Sequence, residues 1–164
     1  MLRLLVTGGT FDKEYDEIGG TLFFKDTHVD EMLALGRCRV PVAIETVMLL
    51  DSLQMTDADR AVIADRCRAC DETRIVITHG TDTMVETAAV LALAVPEKTI
   101  VLTGAMVPYA FGSSDGLFNL GSAISFAQVL PVGVWVAMNG THFAWDQVTK
   151  DCAAGVFVRR SDRT

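Results

Sequence analysis

Four short segments set hydroxyls, carboxylates or an amine beside glycine or another small residue: Thr7-Gly8-Gly9-Thr10, Asp51-Ser52, His79-Gly80-Thr81-Asp82, and Asn139-Gly140-Thr141 with Lys150 beyond it; a fifth, Gly104-Ala105-Met106, offers backbone between small residues. These are the parts of hydrolysis through a hydroxyl nucleophile. That chemistry needs a nucleophile, a route for its proton, donors for an oxyanion and a proton for the leaving group. A threonine hydroxyl is a poor nucleophile at neutral pH, so neighbours must activate it. Thr10, inside a glycine loop, is the candidate nucleophile. Thr81, Asp82 and Lys150 form a candidate relay, with lysine as base, hydroxyl as carrier and carboxylate as orienter.

Each residue taken singly has a plainer reading. Thr10 and Ser52 are common turn residues, Lys150 is an ordinary solvated lysine, and Asp82 suits a helix N-cap. His79 reads as a hydrogen-bonded turn residue rather than a base. Tyr109 and Trp145 read as packing residues. Only their joint placement at one crevice turns Thr10, Ser52, Thr81, Asp82 and Lys150 into a site.

The elements that must position them alternate in type. Leu2–Thr7 is a continuous apolar run, the pattern of a buried parallel strand. Val42–Leu50, Arg74–Thr78, Thr99–Thr103 and Val132–Met138 read as further strands, and Val156–Val158 as one more short one. Helices are expected from Thr27, as N-cap, to about Gly36; from Thr56, also as cap, to about Cys70; from Thr81 to Ala94; and from Asp115 to Leu130. Alternating strands and helices predict an α/β fold, a doubly wound and mostly parallel sheet in a single domain. Ligands bind such sheets beyond the carboxyl ends of the strands, where the five segments fall. The polar segment Asp12–Gly20 reads as a mobile loop.

Composition narrows the functional classes. The chain has 164 residues, enough for one core, and a net charge of -7. An acidic surface without a basic cluster disfavours nucleic acid and anionic membranes. The uncharged stretch Gly116–Trp145 is interrupted by Asn119, Ser122, Ser125, Gln128 and Pro131-Val132-Gly133. It reads as a helix and a strand rather than a membrane span. Met1–Val6 is too short for a signal-peptide core, so the expected compartment is the cytoplasm. Cys67-x-x-Cys70 lacks a second pair to complete four zinc ligands and reads as two reduced thiols. No metal site and no cofactor are expected. Gly8-Gly9 lacks the third glycine of a dinucleotide fingerprint, and no phosphate-loop signature is present.

Several blocks of the chain resemble the L-asparaginase/glutaminase family. Thr7-Gly8-Gly9-Thr10-Phe11 is similar to its first active-site signature. Thr78-His79-Gly80-Thr81-Asp82-Thr83-Met84-Val85-Glu86-Thr87-Ala88 is similar to its second. Gly104-Ala105-Met106-x-Pro108, then Ser114-Asp115-Gly116-x-x-Asn119-Leu120, resembles the next block, and Met138-Asn139 with Val148-Thr149-Lys150 the segment bearing the family lysine. All stand in family order over roughly residues 1 to 150. The resemblance implies a threonine amidohydrolase that splits the side-chain amide of L-asparagine or glutamine, with Thr10, Tyr15, Thr81, Asp82 and Lys150 as catalytic residues. Gly9, Asp51, Ser52, Gly80, Thr81, Asp82 and Ala105 would line the substrate site. Ser52 and Asp82 would grip the α-amino and α-carboxylate groups, backbone N–H groups around Gly9-Thr10 and Thr81 would hold the oxyanion, and Gly104-Ala105 would meet the leaving amide through backbone.

The chain departs from the family pattern in three places. Full-length members continue into a second, smaller domain after the lysine segment, whereas this chain stops soon after Lys150. The family tyrosine lies farther from the threonine than Tyr15 does, so Tyr15 would act from a shortened loop. Val107 stands where many members carry arginine. The expected organisation is one asparaginase N-terminal-like domain over 1–158 and a tail over 159–164. The alternative is a weak or inactive domain that binds the amino acid or amide without turning it over. The expected partners are a small amide substrate and further copies of the chain. Leu117–Leu130 is apolar around more than one face, so a homodimer or higher homo-oligomer is expected.

Overall fold

A computed structural model describes residues 1–162. It begins with strand β1, Leu2–Gly8, whose apolar run is buried on both faces. A hairpin follows, β2 (Lys13–Asp16) with β3 (Thr21–Phe24), and then helix α1, Val29–Leu35. Strand β4, Val42–Leu50, pairs parallel to β1. Helix α2 (Asp57–Ala69), strand β5 (Arg74–Thr78), helix α3 (Met84–Ala94), strand β6 (Thr99–Thr103), helix α4 (Gly116–Val129) and strand β7 (Gly133–Met138) continue the winding. Strand β8, Thr141–Ala144, turns back antiparallel along β7. Strands β9 (Val148–Asp151) and β10 (Val156–Arg159) form a separate ribbon.

The six-stranded sheet has the order β4-β1-β5-β6-β7-β8. The winding leaves β1 for β4 on one side and returns to β5 on the other. That reversal makes the carboxyl ends of β1 and β5 the topological switch point, where such folds bind ligands. Alternate residues of the strands feed two cores. Leu5, Ile75, Ile77, Ile100 and Leu102 pack under α2 and α3. Leu4, Val6, Val76 and Val101 pack under α1 and α4. The result is the expected α/β sheet covered on both faces.

Local chemistry sets most boundaries. Thr56 caps α2 as expected: its hydroxyl accepts the Asp59 N–H, and the Asp59 carboxylate accepts the Thr56 N–H at 2.8 Å. At the other end Lys98, buried, donates to the Cys67 and Cys70 carbonyls and so closes the last turn. Cys67 and Cys70 are free thiols, and burial pushes the Cys67 thiol up to about 12.

Several expectations are corrected. Thr27 is not the cap of α1; the helix starts at Val29, and the Thr27 hydroxyl donates to Asp12. Helix α3 starts at Met84, not Thr81, which leaves Thr81 and Asp82 outside the helix. Val156–Val158 is a strand as expected, and it pairs with β9 in the separate ribbon. Asp12–Gly20 is not an irregular loop: Asp12 is buried, residues 13–16 are paired, and only residues 17–20 form a turn. Helix α4 carries apolar residues on more than one face, as expected: Leu120, Ala123, Ile124 and Ala127 are buried, while Phe118 and Val129 are exposed along with Ser125 and Gln128. The segment expected as a tail begins within structure. Arg159 ends β10 and the Arg160 N–H donates to the Gln147 carbonyl, while residues 163 and 164 lie outside the described residues.

Candidate functional site

At the end of β1 the backbone runs through Gly8 and Gly9 with φ of 95° and 82°, a region that side chains strain to enter. Space also requires glycine at both. A Cβ on Gly8 would lie 2.4 Å from the Leu50 nitrogen, and one on Gly9 would lie 2.4 Å from the Gly80 nitrogen. The two loops at the switch point therefore touch backbone to backbone. Thr10, half-buried, opens a short helical turn, Thr10–Asp12, directly after this contact.

Across from it, the end of β5 carries His79, Gly80, Thr81 and Asp82. Lys150 reaches in from β9. Its Nζ donates to the Thr81 hydroxyl at 2.8 Å and to the Asp82 carboxylate at 2.7 Å. The ribbon that carries Lys150 is fixed by burial of Val148 and Phe157 in the core. The Phe157 N–H also donates to the Asn139 side-chain oxygen at the end of β7. Thr81 is buried and Asp82 is 44% exposed, so the triad spans the wall of the crevice from core to solvent.

The end of β4 supplies Asp51 and Ser52. Asp51 caps the turn Ser52–Gln54 and pairs with Lys13 of the hairpin. The Lys13 ammonium, followed by the Leu53 N–H, holds its carboxyl below the usual carboxylate range. Ser52 is buried, and its hydroxyl has no partner among the described residues. Its backbone carbonyl accepts the Thr83 hydroxyl at 2.9 Å. A Cβ on Gly80 would lie 2.4 Å from the Ser52 hydroxyl, so Gly80 is the space in which that hydroxyl sits.

At the end of β6 the Ala105 side chain is in the core, so only its backbone can meet a ligand. Asn119 of α4 donates to the Gly104 carbonyl at 2.9 Å and accepts the Asn139 N–H at 3.1 Å. Asp115 accepts the Met106 and Val107 N–H groups. Asn119 thus ties the ends of β6 and β7 together, and Asp115, just before the helix, holds the segment after β6.

The expected residues thus divide. Gly9, Gly80, Thr81, Asp82 and Lys150 are brought into one wall, with Ser52 packed against Gly80. Thr10 follows Gly9 directly. Asp51 is occupied by Lys13 and Leu53. Tyr15 is 56% exposed on β2, paired with Leu22. It shares a strand face with Lys13, the side that reaches Asp51, as alternate residues of a strand do. His79 is fully buried, which drives its imidazole down to about 4 and shuts it off from the crevice, so it is neutral and no proton acceptor there. Sequence reading missed Lys13, and it placed Thr83, Asp115 and Asn119 in the family-like blocks without giving them a supporting role. The four-residue spacing of Asp115 and Asn119 at the start of a helix was a further signal.

Comparison with known proteins agrees with this architecture. The family model described as Asparaginase, N-terminal, matches residues 1–158. The L-asparaginase 2 of Escherichia coli is 42% identical over 123 residues, which are 71% of this chain and 35% of that protein. The L-asparaginase of Thermococcus kodakarensis is 31% identical over 163 residues, 94% of this chain and 49% of that one. Its solved structure superposes with a TM-score of 0.82 over 96% of this chain. A probable cytoplasmic L-asparaginase of Campylobacter jejuni superposes at 0.83, with 30% identity, over 98% of this chain and 53% of its own. The chain therefore spans about half or less of these relatives. With the family model covering nearly all of it, and the switch-point geometry intact, the chain belongs to the asparaginase family, in that family's N-terminal domain.

Proposed function

We propose that the protein is an amidohydrolase that splits the side-chain amide of L-asparagine, or of glutamine, into the acid and ammonia. The observation that carries this reading is the Thr81–Lys150–Asp82 linkage on the wall beside the Thr10 loop. Thr10 Oγ attacks the amide carbon. Its proton passes through the Thr81 hydroxyl to Lys150, with Asp82 orienting the amine. The carbonyl oxygen becomes an oxyanion facing backbone N–H groups of the glycine loops. The C–N bond then breaks, and the amide nitrogen takes the relayed proton and departs as ammonia. Water attacks the Thr10 ester by the same path, which releases the acid and restores the hydroxyl.

The remaining residues bind. The unpartnered Ser52 hydroxyl, in a buried position, supports a contact with the substrate's α-carboxylate, because burying a hydroxyl without a partner costs about 1–3 kcal/mol that a ligand would recover. The exposed carboxylate oxygen side of Asp82 supports a contact with the α-amino group. Tyr15 joins the site when the hairpin closes.

Ammonia release by the purified protein from asparagine, glutamine and their analogues tests the reading. Thr10→Ala and Thr81→Ala should each lose at least about 100-fold in rate while keeping the circular-dichroism spectrum and melting profile of the parent. Near-normal release by both variants would end the mechanism. Melting shifts with amino acids, without any ammonia, would identify a binding domain instead.

A further inference from the structure

His79 lies behind the crevice wall, and what it holds is the peptide that the site uses. Its Nδ1 is 2.8 Å from the Gly80 carbonyl oxygen. A carbonyl only accepts, so Nδ1 carries the hydrogen; a lone pair there would face another lone pair. Nε2 is then an acceptor, and the Thr87 hydroxyl lies 2.8 Å from it. The Thr87 oxygen in turn accepts from Arg60 Nε at 3.2 Å. Guanidinium only donates and stays charged, so the direction of the whole chain is fixed: Arg60 to Thr87, Thr87 to His79, His79 to Gly80. The three side chains are buried. Arg60 also donates to the Met55 carbonyl, which fastens the start of the chain to the loop before α2.

The peptide at the end of this chain joins Gly80 to Thr81. A trans peptide is planar, and its C=O and N–H point in opposite directions. Holding the Gly80 oxygen towards the buried His79 therefore turns the Thr81 N–H away from it. That N–H has no hydrogen-bond acceptor among the described residues. Glycine lacks the side chain that would otherwise resist a flip of this peptide. A flip would put a carbonyl where the site needs a donor.

We propose that His79, Thr87 and Arg60 are positioning residues that lock the Gly80–Thr81 peptide with its N–H presented to the substrate's oxyanion. The proposal rests on the amidohydrolase reading, and it deepens that reading by assigning one donor and its support. The three residues touch no substrate. Their effect belongs to the transition state, so it falls on kcat rather than KM.

Two variant pairs test it. Thr87→Val and His79→Leu should lower kcat by about 5-fold with KM within about 2-fold, the scale of one loosened hydrogen bond. Thr87→Ser keeps the donor to Nε2, and His79→Asn keeps a donor near the position of Nδ1. Each should recover most of the loss. Equal losses in both members of each pair would overturn the proposal. Nitrogen-15 spectra of the imidazole give an answer that needs no turnover. The parent and Thr87→Ser should show His79 as the Nδ1–H tautomer, and the Thr81 amide signal should shift more in Thr87→Val than in Thr87→Ser. An Nε2–H tautomer in the parent would overturn the lock even if ammonia is released. If no amide is hydrolysed, the enzyme reading fails, while these spectra still decide whether the peptide is locked.

Discussion

Lys150 and Asp12 show how much a single group contributes at this crevice. The Lys150 amine bridges the Thr81 hydroxyl and the Asp82 carboxylate, and its proposed work is proton transfer. Lys150→Met keeps the length of the side chain and removes the amine. It should lower kcat by at least about 100-fold and change KM by less than about 5-fold. A variant with normal kcat and only a raised KM would move Lys150 from the relay to recognition. Asp12 is buried two residues beyond Thr10, and its carboxylate accepts the His28 N–H and the Thr27 hydroxyl. Burial raises its pKa above 3.8, against the pull of those two donors. The folded state thus holds the proton more tightly than the unfolded chain. That contribution is full below 3.8 and is lost as pH rises through the raised value. Asp12→Asn is neutral at every pH and keeps the accepting oxygen, so it should melt above the parent at about pH 7 and together with it at about pH 3. A parent that melts higher at neutral pH would show that the carboxylate is ionised and stabilising. At this scale the sequence revealed the residues that carry motifs, Thr81 and Lys150 among them. It hid the roles of Lys13, Thr87 and Arg60, because the contacts of Lys13 with Asp51 and of Arg60 with Thr87 span 38 and 27 positions and exist only after the sheet is wound.

Elements were legible where their own residues carry a clear apolar pattern. Strands β5 and β6 run over the residues expected of them, since an unbroken apolar run bounded by polar residues has few other folds, and β4 does so although Glu45 and Thr46 interrupt its run. The four-residue strands β2, β3, β8 and β9 gave no such signal. Their pairing depends on neighbours more than on their own pattern. Helix α3 starts late because Thr81 and Asp82 face Lys150 instead of closing a first turn. The hairpin β2–β3 has the clearest mechanical consequence. Two strands alone are marginally stable in water. This pair is held mainly at its base, where Asp12 clasps Thr27 and His28, and Lys13 pairs with Asp51. Tyr15 and Ile18 remain exposed further out. The hairpin should therefore open far more readily than the sheet. Its Glu14–Tyr15 amides should exchange at least about 1000-fold faster than those of Ile75–Ile77, and saturating L-aspartate should slow them selectively. Equal protection of both segments, unchanged by the ligand, would show that the hairpin is no lid.

For the molecule as a whole, the question is what covers the outer side of α4. The sheet takes Leu120, Ile124 and Leu130, and Phe126 leans on His142 of β8. Phe118 and Val129 stay 63% and 75% exposed. Eleven residues apart, they lie within about 20° of each other around a helix with 3.6 residues per turn. Between them Gly121, Ser122 and Ser125 form the floor of a shallow depression of about 490 Å³. No Asp, Glu, Lys or Arg occurs from Gly116 to Trp145, although the chain as a whole carries a net charge of -7. Two copies of an acidic protein repel each other over most of their surface, and least across an uncharged face. A two-fold contact also places the same stripe on both sides, so each Phe118 can meet the depression of the other copy. We therefore expect a homodimer, or a larger assembly built on it, joined through α4. Sedimentation at micromolar concentration should give at least twice the mass of the chain. Phe118→Glu should reduce that to the monomer mass with an unchanged circular-dichroism spectrum, because the side chain lies outside both cores. A parent that sediments as a monomer would refute the contact. A Phe118→Glu variant that still assembles would move it to another face.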